Sequence, residues 1–196
     1  MLKTVALNEH VLCDLESVRD DLKLQDITYD DILRDLINVA SGEIENFCDR
    51  KLLSRDGTQW LDGSSSATIA LQQWPATALT QARYRSFGSD QYVELDITGW
   101  SATGGLLMLQ RDFFPRGWQN VELTGTFGYK AATHDADLAV LAKACKRQVM
   151  VRFQDHLNQT GRVESFGAGG QTVKLKEIEG LSAEVKAMVD PYVKRN

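Results

Sequence analysis

The residues best able to do chemistry are dispersed along the chain. His134 stands beside Asp135 and Asp137, and an imidazole with two carboxylates could bind a divalent metal; neighbours at a helix start more commonly serve as caps. His10 and His156 are isolated in the sequence. Cys13, Cys48 and Cys145 share no metal-ligand spacing, and an odd number of scattered cysteines on expected helices reads as reduced thiols filling a core. Gly99-Trp-Ser-Ala-Thr-Gly104 has the wrong spacing for a nucleophile elbow, and Ser64–Ser66 sits where a turn is expected. Gly167-Ala-Gly-Gly170 lacks the Lys-Ser/Thr that a phosphate-cradling loop needs. The carboxylates Asp20, Asp21, Asp30, Asp31 and Asp35 offer no pair that stands out as an acid/base couple without a pocket. The expectation is a chain with no catalytic residues, no metal and no cofactor. What remains is Trp60, Trp74, Trp100 and Trp118, all in one middle segment, where they either fill the core of a small sheet or anchor a contact between subunits.

The elements that must position these residues change character near residue 51. From Thr28 to Arg50, Leu33, Leu36, Ile37, Ala40, Ile44 and Phe47 recur at three- and four-residue steps, predicting a helix with one buried face. Thr28 is its expected cap, and Gly42 within it implies a close helix–helix approach. An earlier helix is expected from about Asn8 to Leu24, burying Val11, Leu15, Val18 and Leu22. Strands are expected at Thr58–Leu61, Thr68–Leu71, Leu79–Tyr84, Tyr92–Leu95, Leu106–Leu109 and Asn120–Phe127. Asp62-Gly63, Gly88-Ser-Asp90, Gly104-Gly105 and Pro115-Arg-Gly117 are their turns. A third long helix starts near Asp135 or Asp137, with Leu138, Leu141, Ala142, Cys145 and Val149 on one face. After it come a loop from Gly161, an alternating stretch over Thr172–Ile178, and a short helix capped by Ser182 that carries Val185, Met188, Val189 and Tyr192.

Composition sets outer limits. The 196 residues suffice for one domain, or a core with a small insertion, and 43% hydrophobic with 25% charged residues is ordinary for a globular protein. No apolar run approaches the roughly 20 residues of a membrane helix, and the first ten residues lack the apolar core of a signal peptide, so neither membrane nor export is expected. The net charge of −5 conceals an asymmetry: residues 1–50 hold five basic and twelve acidic side chains, residues 140–196 ten and six. Acidic and basic faces could meet between copies, whereas a sequence-reading DNA binder would carry a basic stripe.

Several stretches, in order, resemble the head-to-tail connector proteins of long-tailed bacteriophages, also called adaptor or head-completion proteins. Leu12–Leu24 is similar to that family's opening helix and Asp31–Leu52 to its second helix. Trp60-Leu-Asp-Gly63 with Trp74-Pro75 looks like its first hairpin, Gly117–Tyr129 like its closing strand, and Leu181–Tyr192 like its C-terminal segment. The stretches Tyr84–Trp100 and Arg162–Glu179 depart from the pattern. The resemblance implies a structural virion protein made in the host cytoplasm and housed in the neck. Roughly twelve copies would close a ring beneath the portal protein, lengthening a channel for double-stranded DNA without reading its sequence and presenting a platform to a downstream stopper or tail-completion protein.

The expected fold is α+β: a helical bundle with a β-module inserted between the second and third main helices and a C-terminal extension. Its parts are N-terminal helices over 1–52, the β-module over 53–130, the third helix over 131–160, and a loop and docking segment over 161–196. Val185, Met188, Val189, Tyr192, Lys194 and Arg195 are expected to meet the portal, the alternative being that this helix packs back on its own bundle, and Trp60, Trp74, Trp100 and Trp118 are expected to meet a neighbouring copy. A monomer with no affinity for a portal would instead favour another tail-completion protein. A deep pocket lined by His134 and Asp135 would favour a bacterial ligand-binding domain or enzyme.

Overall fold

The structure is a computed structural model that describes residues 5–86, 88, 91–158, 167–168, 171–172 and 180–194. It is a mixed α+β chain in two compact units, one from residues 1–48 and 139–193, the other built on Asp49–Leu138.

The helical unit contains α1 (Leu15–Leu22), α2 (Asp30–Cys48), most of α3 (Asp135–Asn158) and α4 (Ala183–Val189), followed by a 3-10 turn over Asp190–Tyr192. Its core follows the helical period. Leu33, Ile37, Ala40, Ile44 and Cys48 of α2 are fully buried, as are Leu141, Ala144, Cys145 and Val149 of α3 and Val185 and Val189 of α4. α1 is shorter than expected because Asp14 starts it: its carboxylate accepts the Ser17 N–H at 2.8 Å, and Lys23 ends it in the left-handed conformation. α2 starts at Asp30, two residues past the expected cap Thr28, whose N–H is taken at 3.0 Å by the Asp26 carboxylate in the turn ahead of the helix. A Cβ on Gly42 would meet nothing within 4 Å beyond its own helix among the described residues. The close approach expected at Gly42 is absent among them.

The second unit holds a four-stranded antiparallel sheet in the order β1 (Arg55–Gly63), β7 (Gly117–Phe127), β3 (Ala76–Arg85), β4 (Tyr92–Glu94). A three-stranded sheet runs β2 (Thr68–Ala70), β6 (Leu106–Met108), β5 (Ser101–Thr103). Inward residues of both sheets form one core, including Leu61, Val121 and Leu123 from the first and Ile69, Leu107 and Leu109 from the region of the second, with Phe114 fully buried among them. β1 and β2 therefore do not form the expected hairpin, since β1 pairs with β7 and β2 with β6. Asp62-Gly63 is the end of β1 and not a turn. The reversal falls on Ser64–Ser66, where Ser64 and Ser66 hydroxyls donate to the Thr68 carbonyl.

Beyond α3, Gly167–Ala168 (β8) pairs with Gln171–Thr172 (β9). The rest of the expected loop from Gly161, the alternating stretch after Thr172, Ser89 and Asp90 of one expected turn, and Arg195 lie outside the described residues.

Candidate interaction surface

The two faces of β1 separate cleanly. Gln59, Leu61 and Gly63 point inward while Trp60 and Asp62 point out, the alternation that a pleated strand imposes. Trp60 lies opposite Glu122 of β7, Glu122 opposite Arg83 of β3, and Arg83 opposite Glu94 of β4, one row across the outer face. Arg83 Nη2 donates to Glu122 at 2.7 Å, which raises the guanidinium pKa further, and its charge lies 4.3 Å from the centre of the Tyr92 ring. Tyr92 in turn meets Trp60 with ring centres 6.2 Å apart. The row holds Trp60 in a set orientation although it is 42% exposed.

Trp118 is placed by a different device. The β1–β7 register breaks between Leu61 and Gly63, so that three β7 residues, Trp118, Gln119 and Asn120, face Asp62 alone. Asp62 Oδ1 accepts the Gln119 N–H at 2.7 Å, and Gln119 takes φ +41°. Asn120 accepts the Gly63 N–H at 2.9 Å and donates to the Pro115 carbonyl at 3.0 Å. A Cβ on Gly63 would fall 1.6 Å from that same carbonyl, and one on Gly117 would fall 2.4 Å from the Asn120 side chain. Both glycines are steric requirements of the bulge. It turns the indole outward, leaving Trp118 81% exposed.

Trp60 and Trp118 wall a groove of about 380 Å³ whose lining includes Asp62, Ile69, Ala70 and Gln72. Gln59, buried beneath, fixes one edge by accepting the N–H groups of Gln72 and Gln73 at 2.8 and 2.9 Å. Ala70 pairs with Leu106 and Thr68 with Met108, and on β6 only Leu107 turns inward. Leu106 is 54% exposed, and Met108 is exposed as well. The aromatic groove thus continues onto an apolar stripe of the second sheet. Contiguous exposed apolar surface of this kind marks contact sites.

The other expected contact residues are taken up within the chain. Trp74 lies half-buried under Arg50, whose guanidinium stacks 4.0 Å from the Trp74 ring and 5.3 Å from that of Tyr129 while donating to the Trp74 carbonyl and the Tyr129 hydroxyl. Trp100 packs half-buried against the sheet core. Val185 and Val189 are fully buried in the helical unit, Tyr192 nearly so, and Met188 partly. The short apolar stripe expected to lie open for a partner is closed over by its own unit. Gln148 of α3, fully buried, pins this segment by donating to the Gly180 carbonyl at 3.0 Å and accepting the Ser182 N–H at 3.1 Å. Lys194 is half-buried.

His134 and Asp135 work locally: His134 Nδ1 accepts the Lys130 N–H at 3.3 Å and Asp135 the Ala132 N–H at 2.8 Å. No cluster of three or more metal-binding side chains occurs among the described residues. The residues that sequence reasoning missed are Asn120, Gly117 and Gln119 of the bulge and Leu106 and Met108 of the stripe. Of these, Leu106 and Met108 lay in an expected strand, but the unbroken apolar run Leu106-Leu-Met-Leu109 gave no sign of which residues face out.

The head completion protein family model matches residues 11–195 of this chain. No curated protein matches it. Among solved structures, the neck of an empty GTA particle with C6 symmetry is similar, with TM-score 0.57 and 18% identity, covering 100% of this chain and 96% of that one. The neck of a native GTA particle with C12 symmetry aligns at TM-score 0.54 and 17% identity, over 100% and 96% of the two chains. A chain from the virion of a native gene transfer agent particle aligns at TM-score 0.55 and 17% identity, over 100% and 95%. At these identities the likeness is one of fold.

Proposed function

This chain belongs to the head completion protein family, and from that premise we propose that it is a neck protein of a phage-like particle, forming a closed ring beneath the portal. The ring lengthens the DNA channel and offers a platform to the next neck or tail protein. The observation that carries this is the rigidly held, exposed surface of Trp60, Trp118, Leu106 and Met108, which a partner must cover. The C12 symmetry of one similarly folded neck supports a twelve-fold arrangement.

A closed ring requires two different patches on every copy. The described residues carry a second exposed apolar set on α2, Val39 and Phe47, two turns apart on one face. The β-unit groove of one copy accepts the α2 face of the next. Portal contact falls to the outward side of the C-terminal helix, at the exposed Lys186, because the apolar side is closed within the unit. Mass photometry of the purified protein, alone and with portal rings, tests the reading. Closed multimers of the 21.9-kDa chain that join the portal support it, and a monomer that ignores the portal overturns it.

A further inference from the structure

Cys13 and Cys145 stand 132 residues apart in sequence and 3.3 Å apart at their sulfurs, inside the helical unit. Both are free thiols; Cys145 is fully buried and Cys13 is 6% exposed. Ser41 Oγ lies 3.5 Å from Cys145 Sγ and accepts the Leu12 N–H at 3.1 Å. The segment before α1, α2 and α3 therefore meet at this one point. Cys48 lies elsewhere, its sulfur directed at the Val189 carbonyl 3.9 Å away. A core needs apolar volume from cysteines, not a sulfur-to-sulfur hydrogen bond between two segments far apart in sequence.

We propose that Cys13 and Cys145 are an oxidative cross-linking site, closed to a disulfide by hydrogen peroxide, that fastens the segment before α1 to α3. A disulfide requires sulfurs about 2.05 Å apart, and the remaining gap of roughly 1.3 Å is small against the arc of a χ1 rotation. The Cys145 sulfur attacks one peroxide oxygen, the O–O bond breaks, and the products are a sulfenic acid and one water. The Cys13 sulfur then attacks the sulfenic sulfur, an S–S bond replaces the S–O bond, and the oxygen leaves with the Cys13 proton as a second water. Two thiols lose two electrons and two protons, and one peroxide becomes two waters.

The order of attack follows from the contacts. Accepting the Cys13 S–H, with help from the Ser41 hydroxyl, lowers the Cys145 pKa, while giving that bond and being buried push Cys13 well up. Hydrogen peroxide is small enough to enter by local opening at Cys13, which lies outside any helix. The proposal is independent of the neck reading.

The test is to treat the folded protein with hydrogen peroxide, block remaining thiols, digest without reduction and map the peptides. A Cys13–Cys145 linked peptide is expected with Cys48 still free, together with a thermal midpoint raised by at least about 5 °C and restored by dithiothreitol. The Cys48→Ala variant should behave identically. Cys13→Ser should leave a dimedone-reactive Cys145 with no link. Cys145 that stays unmodified, passes to sulfinic acid or pairs with Cys48 in the unsubstituted protein overturns the proposal. If Cys13→Ser fails to fold, the mapping of the unsubstituted and Cys48→Ala proteins decides alone.

Discussion

Two tryptophans of one unit illustrate how differently the same side chain can be used. Trp118 contributes little to its own fold because most of its surface already faces solvent. Trp118→Ala should change stability by no more than about 0.5 kcal/mol in urea unfolding, while light scattering shows loss of self-association. Trp74 is the reverse: its ring supports Arg50 and packs against the sheet core, so Trp74→Ala should cost about 2–3 kcal/mol. Residue types made all four tryptophans visible as candidates from sequence. Their exposure was not visible, because Asp62-Gly63 looks like a hairpin turn and only tertiary pairing shows it opposite a bulge. Asp14 supplies the residue-scale pH effect. The Ser17 N–H, first of its hydrogen bonds, holds its pKa below the ordinary 3.8. The sign is that of a depressed carboxylate: its stabilisation is present above the unfolded value and is lost as pH falls through the folded one. Asp14→Asn, which can still cap α1, should flatten that part of the acid dependence in a series of thermal melts from pH 5 downward.

At the scale of elements, the long helices were legible because a single buried stripe fixes a 3.6-residue period, and α2 reads that way from Leu33 to Ile44, whereas Phe47, expected on the same face, is exposed. The limits of α1 were not, because the apolar residues Val11 and Leu12 extend the pattern past the cap at Asp14 that stops it. Gly42 was read as a packing glycine on propensity alone, yet the space around it is open, so Gly42→Ala should stabilise the protein by about 0.5–1 kcal/mol in chemical denaturation. The bulge behaves oppositely. Gly63→Ala drives a methyl into the Pro115 carbonyl and should cost at least about 2 kcal/mol, with a change in Trp118 fluorescence reporting the lost orientation. The C-terminal helix was correctly placed and capped by Ser182, but its apolar stripe was legible only as a stripe; which surface it covers depends on Gln148, 34 residues upstream of Ser182. Gln148→Ala leaves the Gly180 carbonyl and Ser182 N–H unpaired and should lower stability by about 1–3 kcal/mol.

On the scale of the whole molecule, part of the charge asymmetry is paired within the chain. Lys146 meets Asp21 at 2.7 Å and Arg152 meets Glu43, so two basic side chains of α3 pair with the acidic N-terminal helices of the same copy, while Arg147 meets Glu184 of α4 at 2.8 Å. The sequence gives only the charge count of each segment and cannot distinguish pairing within a copy from pairing between copies. With the exposed apolar groove as the contact instead, assembly should persist or strengthen between 0.1 M and 1 M salt, where the Debye length shrinks from about 10 Å to about 3 Å. Sedimentation velocity across that range checks this. The most direct measurement is electron microscopy of the protein mixed with portal rings, run side by side with a Trp60→Ala/Trp118→Ala variant shown by circular dichroism to be folded. The account predicts coaxial rings on the portal for the unsubstituted protein and bare portals for the variant. Rings formed equally by both, or portals left bare by both, would contradict it.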